Sequence, residues 1–158
     1  MSGISLEEAS AFIWLEADVL DSHDYKTWLA LWTAQGHYII PTSRGATDYE
    51  SRLNIAYDDQ AMREARVKRL RSGFSMSSAP PARTIRTVSR FRVIEETETA
   101  LTVRAAQVLI EYKYERTRTL AADVTYRLTH EKTGLKLDRK VVDLVNADDA
   151  LHGIGYLL

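Results

Sequence analysis

The chain has 158 residues, 45% hydrophobic and 27% charged, with a formal net charge of −1. That is the size and make-up of one globular domain, taken here as residues 1–158, and a chain this long buries about 68–70% of its unfolded surface. There is no cysteine, which excludes disulfides, thiolate zinc sites, cysteine nucleophiles and iron–sulfur ligation by this chain. The near-neutral charge argues against a general nucleic-acid binder. The longest strongly apolar run, Trp28 to Trp32, is far short of a membrane span. No lysine or arginine precedes Lys26, whereas Glu7, Glu8, Glu16, Asp18, Asp21 and Asp24 do, the reverse of a targeting segment. The expectation is a cytoplasmic protein with no nucleic-acid or membrane partner.

Ser5-Leu6-Glu7-Glu8 is a capping box, and Leu6, Ala9, Ile13, Ala17 and Leu20 follow at helical spacing with Phe12 beside them. Asp24 caps a second helix whose stripe is Tyr25, Trp28, Leu29 and Trp32, ended by Gln35-Gly36. His37 to Ile40 reads as a short strand before Pro41, and residues 42–57 as a loop. Asp58-Asp59 opens a third helix to about Arg71, with Gly73 as its left-handed stop and a thin apolar face of Met62, Ala65 and Leu70. Four strand-like stretches follow near 84–96, 100–116, 120–131 and 135–146. In the second, apolar positions shift phase between Ala105 and Val108, which predicts a bulge. Glu131 to Gly134 reads as a hairpin turn. Helices first and strands after predict an α+β fold: a curved, mostly antiparallel sheet wrapped around N-terminal helices.

Three constellations bear on chemistry. His23, His37, His130 and His152 share no spacing that places two on one helix face, so no metal is expected in this chain. No Gly-x-Ser-x-Gly elbow or glycine-rich phosphate loop occurs. Trp14 and Asp18 are an i, i+4 pair, and a poorly hydrated Asp18 with Tyr38 or His37 as partner would suit acid–base catalysis in a cone-shaped pocket. Against that stands a plain solvated Asp18. From Asp58 to Arg92 nine cations face three acids, and eight of the nine are arginine. Arginine favours directional carboxylate pairs, so Arg66, Arg69, Arg71, Arg83 and Arg86 are the candidate subunit-interface residues. A solvated helix face and a nucleic-acid patch are the other readings.

Several segments together resemble a known family. They are Glu16 to Asp21, Trp28 to Leu31, Tyr38-Ile39-Ile40-Pro41, Asn54 to Asp59, Ala65 to Phe74, Pro80-Pro81-Ala82-Arg83-Thr84, and the strand with Val88, Arg92 and Val93. In this order they resemble the small (beta) subunit of the aromatic-ring-hydroxylating dioxygenases, the Rieske non-haem iron oxygenases. Ala82 stands where that family often has serine, and Ile85 interrupts its tight Arg-Thr-Arg. The resemblance implies a cystatin-like cone and a partner large (alpha) subunit that carries a Rieske iron–sulfur cluster and a mononuclear iron. It further implies a homotrimer of small subunits within a heterohexamer that adds dioxygen to an aromatic ring. This chain would supply no catalytic residue and hold no cofactor. The same cone also serves stand-alone lyases and isomerases, for which Asp18 and Tyr38 would be the acid–base pair, and non-enzymatic ligand-binding modules.

Overall fold

Capping sets the first two helices. In the computed structural model, which describes residues 2–51, 53–76, 81–146 and 154–158, helix α1 spans Leu6–Asp21. The Ser5 hydroxyl accepts the Glu8 amide at 3.1 Å. Ala9, Ile13, Ala17 and Leu20 are buried, while Leu6 at the start of the stripe is exposed. Helix α2, Tyr25–Ala30, is capped by Asp24, which takes the Thr27 amide and hydroxyl.

Helix α2 is shorter than its aromatic stripe predicts, because strand β1 (Trp32–Pro41) begins at Trp32. The Leu31 carbonyl accepts the Leu137 amide at 2.7 Å, so sheet pairing takes over where the helix would continue. Gly36 is required for that pairing. A Cβ there would lie 2.8 Å from the Trp32 ring and 3.0 Å from the Asp138 carbonyl oxygen. The expected loop at 42–57 also contains the start of strand β2, Asn54–Asp58, which pairs antiparallel with β1.

Helix α3 spans Gln60–Met76 and opens with the Asp59 carboxylate on the Met62 amide at 2.9 Å. It runs through Gly73, so that glycine is not the stop the sequence suggests. Its buried face is Arg63 and Val67, with Leu70 partly covered, whereas Met62 is exposed.

Strands β3 (Arg83–Glu96), β4 (Ala100–Lys113), β5 (Arg116–Glu131) and β6 (Gly134–Leu144) follow as expected. Sheet order is β2-β1-β6-β5-β4-β3, with every neighbour antiparallel except β1 and β6. This is the α+β architecture predicted, a curved open sheet with α1 packed on β3 and α3 on β1 and β2. The bulge predicted in β4 is absent there: β4 and β5 pair without a break from Ala100↔Thr129 to Lys113↔Arg116. The irregularities sit in β3, between Ser89 and Arg92 and again between Val93 and Glu95, with Arg90 at φ 58. The apparent phase change is chemical. Leu101, Val103, Ala105, Gln107, Leu109 and Glu111 all face inward, so Val108, Ile110 and Tyr112 lie outside.

Candidate functional site

The interior of the cone is built around a buried ion pair. Tyr38 on β1, Lys140 on β6 and Tyr126 on β5 share one register row across three neighbouring strands. Lys140 is fully buried, and its ammonium donates to both Glu16 oxygens, at 2.9 and 2.8 Å. Trp28 Nε1 donates to the same carboxylate at 3.0 Å. A buried charge is costly unless its partners satisfy it, and here each charge has more than one. Burial pulls the Lys140 ammonium below its ordinary value, and Glu16 works against that. Burial also pushes the Tyr38 and Tyr126 phenols well above the usual tyrosine range, so both stay protonated at neutral pH.

The segment Ile154–Leu158 lies against this row. Tyr38 Oη accepts the Leu158 amide at 2.9 Å and donates to the Leu158 carbonyl at 3.4 Å. Lys140 donates to the same carbonyl at 2.8 Å. Arg86, buried on β3, bonds Asp21 with one nitrogen and the Leu157 carbonyl with the other. Tyr156 donates its hydroxyl to Glu111, which also receives Arg118 at 2.7 Å. A cavity of about 300 Å³ remains beside the segment, bordered by Tyr38, Ile40, Ile55, Arg66 and Leu144.

Burial alone would raise the Glu111 pKa, but Arg118 and Tyr156 bond its charged form and hold it below the ordinary value. A carboxyl with a depressed folded pKa stabilises above its unfolded pKa, about 4.3, and loses that contribution as pH falls through the folded value. Stability should therefore drop on acidification below that point. Glu111→Gln should lower stability at neutral pH and flatten this part of the profile, as read from denaturation midpoints across pH. A variant with an unchanged acid limb would show that the pair contributes nothing there.

The acid–base alternative loses its geometry. Asp18 is exposed on α1, and Trp14, 53% exposed, is tied to the Val88 carbonyl at 2.8 Å and to the Phe91 ring rather than shielding it. Tyr38 is buried and engaged with Leu158. The α1 carboxylate that reaches Lys140 is Glu16, which sequence reasoning missed. The signal was present, since Glu16 stands three residues after Ile13 and four before Leu20, inside the apolar stripe.

The candidate arginines do not form one patch. Arg66, Arg69 and Arg71 lie on α3, beside β1 and β2, whereas Arg83 and Arg86 lie on β3 at the other end of the strand order. Arg66 grips Asp58 with two bonds, at 2.5 and 3.0 Å. Arg69, Arg71 and Arg83 are exposed, and Arg83 lies over the Tyr112 ring at 5.8 Å. Arg86 is not a surface residue: its guanidinium is used inside the chain.

The outer face carries an apolar pair of its own. Ile85 and Ile110 pair across β3 and β4 with 67% and 39% exposure, flanked by Val108 and Tyr112. On β5, Asp123 gathers Arg44, Arg90 and Arg104. Burial would raise the Asp123 pKa, but Arg90 and Arg104 hold it below the ordinary value.

Among the described residues, no group of three histidine, aspartate or glutamate side chains could hold a metal ion. His23 bonds the Ala82 carbonyl at 3.1 Å, His37 stands against Tyr57, and His130 is exposed. His152 lies outside the described residues. No helix among them is long and apolar enough to cross a membrane.

Residues 15–148 match the family described as ring hydroxylating beta subunit. The chain is 28% identical to the 2-halobenzoate 1,2-dioxygenase small subunit of Burkholderia cepacia, over 91% of this chain and 89% of that one. Its fold superposes on the beta subunit of the Burkholderia mallei benzoate 1,2-dioxygenase with a TM-score of 0.83 at 22% identity, covering 99% of this chain and 100% of the other. A nuclear-transport-factor-2-like protein with a cystatin-like fold from Novosphingobium aromaticivorans superposes with a TM-score of 0.59 at 13% identity, covering 90% and 91%. With the sequence family and the sheet architecture in agreement, the chain belongs to the ring-hydroxylating dioxygenase beta subunits, the small components of an oxidoreductase.

Proposed function

We propose that this chain is the non-catalytic scaffold of an aromatic-ring dioxygenase. It seats a large subunit that holds the Rieske cluster and the mononuclear iron, in a cytoplasmic heterohexamer built on a trimer of small subunits. The observation that carries the reading is the family match over most of the chain, joined to an interior in which Lys140, Arg86 and Glu111 are each paired within the chain. Such an interior suits support rather than turnover, because an acid or base must be able to reach a substrate. Supporting it from outside are the exposed Arg69, Arg71 and Arg83 and the apolar Ile85–Ile110 face. Aromatic side chains and arginine are enriched in protein interfaces, and large exposed apolar patches mark them.

The test is co-expression with a large subunit of this family, followed by iron analysis of the complex and of this chain alone. Iron and ring-oxygenating activity should appear only in the complex. A lone chain that turns over a small molecule, or one that never associates with an oxygenase component, overturns the reading. Interface arginines can be probed without disturbing the fold. Arg69→Glu with Arg83→Glu should leave the denaturation midpoint of the isolated chain nearly unchanged, within about 0.5 kcal/mol per site. The same pair should weaken assembly by about 2–5 kcal/mol for each charge pair broken. Unchanged assembly mass on dilution would remove these two residues from the interface.

A further inference from the structure

A cone lined only for packing would be apolar. This one has the buried cations Lys140 and Arg86 and the buried phenols Tyr38 and Tyr126 among its lining. Glu16 and Asp21 balance the cations, but the remaining donors and acceptors point elsewhere. Lys140 and Arg86 reach the carbonyls of Leu158 and Leu157 in turn, and Tyr38 takes the Leu158 amide. Tyr156, Leu157 and Leu158 are themselves 6%, 2% and 3% exposed, so the segment is inserted rather than laid on the surface. Its main chain is read by side chains from β1, β3 and β6, and its side chains fill apolar space. That is the arrangement of a ligand in a pocket, apolar walls with a few convergent polar groups.

Two further observations say that the pocket holds more polar capacity than the segment uses. The Tyr126 hydroxyl and Arg86 Nε are buried with no hydrogen-bond partner among the described residues. Buried polar atoms are nearly always satisfied, and an exception calls for a cause. The cavity of about 300 Å³ flanks the segment on the β1 side, so the space is not packed to closure.

We propose that the cone interior is a binding site for a short apolar peptide, and that residues 154–158 are its ligand, held in cis. The site recognises two successive main-chain carbonyls through Lys140 and Arg86, one amide through Tyr38, and a tyrosine hydroxyl through Glu111. Occupation by the chain's own segment closes the cone and leaves the subunit's outer surfaces for assembly.

Two measurements decide it. In the full chain, Tyr38→Phe removes the partner of the Leu158 amide. That amide should then exchange with solvent about 10-fold faster, the loss of roughly one hydrogen bond, while the amides of β5 and β6 keep their rates. No acceleration, or equal acceleration throughout the sheet, overturns the proposal, because the segment would then be ordinary core. In a chain lacking residues 154–158, the peptide Ile-Gly-Tyr-Leu-Leu added in trans should bind saturably, change Trp28 fluorescence and raise the melting temperature, and a scrambled peptide should not. A folded truncated chain that ignores the peptide, or binds the scrambled one equally, overturns it. If the truncated chain folds only when the peptide is present, that rescue supports the site; if neither peptide rescues it, the proposal fails.

Discussion

Glu16→Ala should cost about 3–5 kcal/mol, because it leaves the Lys140 ammonium buried without its counter-ion. Lys140 would keep only its bond to the Leu158 oxygen, and Trp28 Nε1 would lose its acceptor in the same step. The loss is a shift in the urea midpoint at constant slope. Replacing both members with apolar residues of similar volume, Glu16→Leu with Lys140→Met, should recover most of it, since the desolvation cost disappears with the charges. A single-variant loss below about 1 kcal/mol would mean that water reaches the pair, since exposed pairs contribute on that scale. The pair's position matters as much as its size. It links α1 to the centre of the sheet, so breaking it also loosens the floor on which Leu158 rests.

The second large effect is expected at Arg63, whose side chain on α3 is 1% exposed. Its guanidinium bonds the Gly36 carbonyl, reaches the Thr33 carbonyl at 3.1 Å and lies 4.3 Å from the centre of the Trp32 ring. It therefore fastens α3 to the opening stretch of β1, where Gly36 leaves no room for a side chain of its own. Arg63→Met keeps much of the volume but orphans these two carbonyls, and should cost about 2–4 kcal/mol after the relief of burying a charge is counted. Arg69→Met on the exposed side of the same helix is the control and should stay within about 0.5 kcal/mol. Equal midpoints for the two variants would show that the Arg63 bonds are replaced by water.

Alternation made the long strands readable: residues 120–131 show one wet and one dry face, and β5 follows them closely. The caps at Ser5 and Asp24 were legible for a similar reason, because each acts within one turn of chain. What could not be read depends on distant partners. Trp32 continues a helical stripe in sequence, yet β6 captures the neighbouring Leu31 carbonyl and the chain switches to strand. Strand β2 is short and polar at both ends, and only pairing with β1 reveals it. In β4, apolar residues occupy the outer face and Gln107 and Glu111 the inner one, so hydrophobicity alone misplaces the core. The cone's polar row had a partial signal. Lys140 keeps the phase of Val142 and Leu144, both buried, which marks it as inward-facing. Its carboxylate partner, Glu16, keeps the helical phase of Ile13 and Leu20, but the sequence reading considered only Asp18. Arg86 keeps the phase of Thr84 and Val88 and could have been placed inside by the same rule.

The strand order has a consequence for how the chain is made. Among the described strands β6 is made last, yet it lies between β1 and β5 and bridges the early hairpin and the later meander. Until it emerges, β1 and β2 can pair only with each other, and β3 to β5 present an open edge that invites other chains. Such long-range closure is slow, and slow closure exposes apolar edges to aggregation. Folding of the whole sheet is thus deferred until β6 has been made, when one strand completes two half-structures at once.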